Sequence, residues 1–76
     1  MPNVELLIVK FLSDGEISRH SLQRKLVNYQ GILTGEMDRA LNTLTFERIV
    51  KQTSNGYRLS DNYEVKLRSY VQNYSR

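Results

Sequence analysis

Apolar positions along the chain fall into five blocks separated by clear punctuation. Between residues 3 and 13, Val4, Leu7, Ile8, Phe11 and Leu12 recur at i, i+3, i+4, i+7 and i+8, the spacing of one helix face. Leu6 and Val9 widen that stripe, so this helix is expected to be buried on much of its circumference. Asn3 suits the N-cap, Glu5 the positive end of the helix dipole, and Asp14-Gly15 the stop, since glycine takes the left-handed cap without strain. Glu16-Ile17 reads as short and extended. Ser18 then caps a second helix over 19–27, with Leu22, Leu26 and Val27 at helical spacing and Arg19, Gln23, Arg24 and Lys25 on a basic outer face. Asn28-Tyr29-Gln30-Gly31 reads as a turn anchored in the core by Ile32 and Leu33. Thr34 caps a third helix over 35–46, with Glu36 and Asp38 in its first turn and Met37, Ala40, Leu41 and Leu44 on its core face.

The period then changes. Residues 49–54 and 57–60 are strand candidates, and Asn55-Gly56 between them is the signal for a hairpin closed by a two-residue type I′ turn. That turn sets Ser54 opposite Tyr57, Thr53 opposite Arg58, Gln52 opposite Leu59 and Lys51 opposite Ser60. Val50, Tyr57 and Leu59 then share the core face, and Lys51, Thr53 and Arg58 the outer one. Asp61 or Asn62 caps a last helix over 61–73, whose stripe is Tyr63, Leu67, Tyr70, Val71 and Tyr74.

Length and composition narrow the function classes. The 76 residues make a single domain, 1–76, and 39% hydrophobic with 25% charged residues is ordinary globular composition. With no cysteine there is neither a disulfide nor a thiolate metal site, and His20 alone does not build a zinc site, so no metal and no cofactor are expected. The longest apolar run, Leu6-Leu7-Ile8-Val9, is far short of a membrane span or a signal-peptide core, so the chain is expected to be cytoplasmic and without a membrane partner. The glycines match no phosphate-binding loop, and no spacing singles out a nucleophile or carboxylate to work with His20, so an enzyme is not expected. Formal net charge is +3, and residues 16–58 carry all of that excess, with seven Lys or Arg against four Asp or Glu.

Helix, short strand, helix, helix, hairpin, helix is an order that resembles the winged helix-turn-helix family of small bacterial, archaeal and phage transcription regulators. Its most specific part is Met37-Asp38-Arg39-Ala40-Leu41-Asn42-Thr43-Leu44, followed by Ile49-Val50 and Asn55-Gly56-Tyr57-Arg58-Leu59. Gly15-Glu16-Ile17-Ser18 and Leu22 with Leu26 are similar to the lead-in and second helix. The resemblance implies an α+β, mostly helical fold with a three-helix core, a two-stranded wing and a C-terminal helix. It also implies double-stranded DNA as partner, with the third helix in the major groove. Arg39, Asn42 and Thr43, at i, i+3 and i+4, would read bases, since Arg and Asn match guanine and adenine edges. Arg19, Arg24 and Lys25 of the second helix, with Lys51 and Arg58 of the wing, would hold phosphates. On the last helix, Tyr63 and Leu67 are expected in the monomer core, and Tyr70, Val71 and Tyr74 at a two-fold homodimer interface. A second reading, prompted by the acidic residues Glu36 and Asp38 and the small net charge, is a protein-interaction module (an antirepressor or assembly adaptor) on the same fold, bound to a protein partner.

Overall fold

The first helix turns an unexpected side to the core. In the computed structural model, which describes residues 3–74 (the side chains of Asn3 and Tyr74 excepted), α1 spans Asn3–Leu12. Its buried residues are Glu5, Ile8, Val9 and Leu12, a strict i, i+3, i+4, i+7 stripe with a carboxylate at its head. Val4, Leu7 and Phe11, expected at the centre of the buried face, are only partly covered, and Leu6 is exposed. Because α1 is apolar almost all round, the pattern left its rotation open, and packing against the third helix resolved it. Gly15, at φ 133, ends α1 as expected, its N–H donating to Leu12 O at 3.0 Å.

Ser18 is the N-cap of α2 (Arg19–Gln23), its hydroxyl accepting from the Ser21 N–H at 3.1 Å. The helix then continues through Arg24–Tyr29 in wider, π-type turns, taking in Asn28 and Tyr29, the first two residues of the expected turn. It closes where Gly31 takes φ 70: Gly31 N–H bonds Val27 O, and Ile32 N–H bonds Leu26 O outside it. Widening slips the apolar period, so Leu22 and Leu26 stay buried while Val27 is half-buried and Tyr29 exposed. Leu33, expected as a core anchor, is 68% exposed; Ile32 alone packs against the core there.

Helix α3 (Thr34–Phe46) buries the expected Met37, Ala40, Leu41 and Leu44. Thr34 is its first residue and no cap; Leu33 precedes it, and its carbonyl accepts from Met37 N–H. At the other end Ile49 N–H reaches Leu44 O at 2.9 Å and Arg48 N–H reaches Thr45 O at 3.1 Å, the paired bonds of a Schellman stop. The residue that reverses the chain there is Arg48, at φ 62, where glycine is the usual occupant.

Strands β1 (Val50–Thr53) and β2 (Gly56–Leu59) pair antiparallel as Val50–Leu59, Lys51–Arg58, Gln52–Tyr57 and Thr53–Gly56. This corrects the expected register by two positions: the turn residues are Ser54 and Asn55, and neither takes the positive φ that a type I′ turn demands. A shift of two leaves the faces unchanged, so Val50 and Tyr57 are buried and Lys51 and Arg58 exposed, as the alternation requires. Gly56 is needed for another reason. Its backbone lies against the chain at Ile17–Ser18, where a Cβ would come within 2.2 Å of Ile17 O. Ile17 and Tyr57 there exchange both backbone hydrogen bonds (3.0 and 2.9 Å), adding the short extended segment as a third rung beside β2.

The last helix, α4 (Tyr63–Tyr74), corrects the expected division of labour. Tyr70 is buried in this chain's own core, while Tyr63 and Leu67 lie at its margin. A side chain already inside the monomer offers nothing to a second subunit, so Tyr70 is not an interface residue; Val71 is half-buried, and the Tyr74 side chain lies outside the described residues. One apolar cluster joins all these elements, with Ile8, Leu12, Leu22, Leu26, Met37, Leu44, Ile49 and Val50 fully buried. Each such side chain contributes about 1.5–3 kcal/mol relative to its exposed state. The result is an α+β fold of four helices and a two-stranded antiparallel hairpin among the described residues. No described helix is long and apolar enough to cross a membrane.

Candidate nucleic-acid interface

Helix α3 presents one face to solvent and two flanks to its neighbours. With Met37, Ala40, Leu41 and Leu44 turned inward, Arg39 and Asn42 are exposed on the opposite side, and Phe46 beyond them is 83% exposed. Thr43 sits lower, half-buried on the α1 flank, its hydroxyl donating to Arg39 O at 3.0 Å. Arg39 and Asn42 therefore share the outward surface, and Thr43 stands off it. The acidic residues that open the helix also lie to the sides. Glu36 lines a cleft toward α1, and Asp38 is paired with Arg19 of α2 at 2.5 Å.

The hairpin flank of α3 is cationic. A groove of about 500 Å³ lies between the end of α3, β1 and α4, and Thr45, Arg48, Lys51, Gln52, Ser60 and Lys66 line it. Three cations and two hydroxyl residues meet there without a carboxylate. The Arg48 backbone is fixed by the helix stop and by the Ser60 hydroxyl, which donates to Arg48 O at 2.7 Å. Lys51 also stands directly opposite Arg58 on the exposed face of the hairpin. Like charges at facing positions destabilise a strand pair, so folding alone does not favour this arrangement. Arg58 finds partial relief in Asp61, 3.6 Å away across an exposed pair.

The α1 flank is acidic. Val4, Glu5, Glu36, Arg39, Ala40 and Thr43 line a cleft of about 180 Å³. Two carboxylates face one guanidinium in this small space.

The second helix contributes less than its composition promises. Arg19 donates through one nitrogen to Asp38 and through another to the Tyr57 hydroxyl at 3.3 Å, which ties α2 to α3 and the hairpin. Its guanidinium is held above its ordinary pKa, first by the Asp38 bond and then by the Tyr57 bond, with the Asp38 charge adding. Lys25 turns toward α1, its ammonium 5.6 Å from the centre of the Phe11 ring. Arg24 is exposed. Of the expected phosphate-holding residues, then, the structure gathers Lys51 and Arg58 at the hairpin and disperses Arg19 and Lys25. Sequence reasoning missed Arg48, Lys66 and Phe46. Phe46 is legible as the last α3 residue on the Arg39–Asn42 side. Arg48 and Lys66 come together only because the α3 stop and α4 converge on β1.

Among the described residues no group of three or more His, Asp or Glu is placed to hold a metal ion. No protein-family model, curated protein or solved structure matches this chain.

Proposed function

We propose that the chain is a winged helix-turn-helix protein that binds double-stranded DNA as a sequence-specific transcriptional regulator, without catalysis or cofactor. The observation that carries this reading is Arg48. A non-glycine residue in the left-handed region costs stability, and here it buys a guanidinium at the mouth of a groove already lined by Lys51 and Lys66. Phosphate is the partner that such a carboxylate-free cluster suits, since Arg and Lys hold phosphate oxygens through charge-assisted hydrogen bonds. Beside the groove, the outward face of α3 offers Arg39 and Asn42 for base edges and Phe46 for a thymine methyl group. The acidic start of α3 does not oppose this arrangement, because Asp38 is neutralised by Arg19 and Glu36 faces α1.

The test is an amide chemical-shift titration of labelled protein with a mixed-sequence duplex, at low and then at physiological salt. Shifts concentrated on Arg39, Asn42, Arg48, Lys51 and Lys66 that weaken with salt are expected. Shifts absent at low salt, or scattered over the whole surface, reject the DNA reading. They would favour the second reading, a protein-interaction module. The observation behind that alternative is a groove of about 430 Å³ in which Val4, Leu6, Leu7 and Ile32 are joined by Lys10 and Gln30.

A further inference from the structure

The side of α1 turned away from the core carries apolar surface that the fold leaves uncovered. Val4, Leu6, Leu7 and Ile32 wall a groove of about 430 Å³ along it, with Lys10 and Gln30. The described residues expose five large apolar side chains: Leu6, Tyr29, Leu33, Phe46 and Val65. Leu6 lines this groove, and Tyr29 and Leu33 are the chain neighbours of its Gln30 and Ile32. Contiguous exposed apolar surface marks a contact with another macromolecule. The buried Glu5, whose Oε2 has no hydrogen-bond partner, stands on the opposite, core-facing stripe of α1 and takes no part.

The charges at the two ends of the groove identify what covers it. Val4 borders both this groove and the cleft that holds Glu36, so one end is acidic. Lys10 lines the groove six residues further on, about 9 Å along the helix. Lys25 adds to that positive end, its ammonium lying over Phe11, one turn beyond Leu7. Among the described residues neither Lys10 nor Glu36 is in an ion pair. A surface that is positive at one end and negative at the other is complementary to an antiparallel copy of itself.

We propose that this chain forms a two-fold homodimer through α1, with each groove covered by the partner's α1. A two-fold axis at Leu7, midway between Val4 and Lys10, sets each Lys10 over the partner's Val4 and beside the partner's Glu36. The ion pair forms twice by symmetry, whereas a parallel arrangement would set Lys10 against the partner's Lys10. This interface lies on a different helix from the one expected around Tyr70, and it stands whether or not the chain binds DNA. The face is smaller than the roughly 20 residues a side of a standard interface, so a weak, concentration-dependent dimer is expected.

Sedimentation equilibrium of the full chain between about 10 µM and 1 mM should show a reversible equilibrium between the 8.9 kDa chain and twice that mass. Over the same range, amide shifts of the ¹⁵N-labelled chain should move in residues 4–11 and 29–36. Leu6→Glu, at an exposed position, is expected to stay monomeric throughout. Lys10→Glu and Glu36→Lys each set like charges face to face and should weaken association about tenfold, while the double swap Lys10→Glu with Glu36→Lys should recover most of it. The fold of every variant is verified from its own amide spectrum. The proposal is overturned by a chain that is monomeric at 1 mM, by association whose shifts fall outside those two segments, by a Leu6→Glu variant that still dimerises, or by a double swap as weak as the single variants.

Discussion

The two flanks of α3 are built from the same helix and differ in almost every physical respect. Toward the hairpin, Thr45 borders an open groove in which Arg48, Lys51 and Lys66 gather without a counter-charge. Toward α1, Glu36 and Thr43 border a smaller cleft whose dominant group is a buried carboxylate. α3 itself decides neither character: its charges on these walls, Glu36 and Arg39, cancel, and the rest of its share is Thr43, Thr45 and Ala40. The sign of each flank is set by what packs beside it: a helix stop and α4 on one side, the first turn of α1 on the other. A strongly basic segment such as Arg24-Lys25 need not form a basic site, because Lys25 is turned to Phe11 and neighbouring Arg19 to Asp38.

The largest expected effect removes one flank altogether. Gly56→Ala would drive a methyl group into the backbone at Ile17, and the residue is at φ 147 besides. A loss of at least about 3 kcal/mol is expected in urea unfolding. An unchanged midpoint would mean that the hairpin is not held by this close approach. Next come the binding effects. Arg39→Ala is expected to cost about 1–3 kcal/mol of duplex affinity and to relax specificity at one base pair, whereas Lys66→Ala should weaken all sequences alike and lower the salt slope by about 1. Anisotropy titrations across a salt series separate these two patterns, and similar losses on every sequence for Arg39→Ala would remove it from base reading.

On the acidic flank, Glu5→Met replaces an unpaired buried carboxylate by a side chain that suits its apolar stripe, and a gain of about 1 kcal/mol in stability is expected. Arg48→Gly should gain about 0.5–1 kcal/mol by relieving the left-handed backbone while weakening duplex binding. A variant that is both less stable and equally competent to bind would remove the functional argument for Arg48. The smallest effect is Lys51→Glu, which turns a repulsive pair with Arg58 into an attractive one and should gain about 0.2–1 kcal/mol in thermal or urea unfolding, again with weaker duplex binding.

Much of the secondary structure was legible because it depends on local chemistry. Ser18 as a cap, Gly15 as a stop, the Met37–Leu44 stripe and the two faces of the hairpin all follow from spacing or side-chain type. The departures share one cause, which is that tertiary contact chooses among options that the local pattern leaves equal. α1 is apolar on too many sides for its pattern to state its rotation, so Glu5 reads as a dipole partner and is found in the buried stripe. Asn55-Gly56 reads as a turn, while Gly56 is required by Ile17 across the fold. Tyr63, Leu67 and Tyr70 share one helical stripe, and the angle at which α4 meets the core decides that Tyr70 goes deepest. Of the candidate interface, Arg39 and Asn42 were visible as exposed positions on a periodic helix. The cationic groove was not, since it joins residues from three separate elements.

The rung between Ile17 and Tyr57 also bears on how the molecule assembles in time. Its two hydrogen bonds join residues with the whole of α2 and α3 between them. Closing so long a loop is entropically unfavourable until the intervening helices have shortened it, so the hairpin is expected to dock late, onto a helical unit already formed. In native-state hydrogen exchange the Ile17 and Tyr57 amides would then be released as a pair, and the free energy of their opening would report how independently the hairpin leaves the helices.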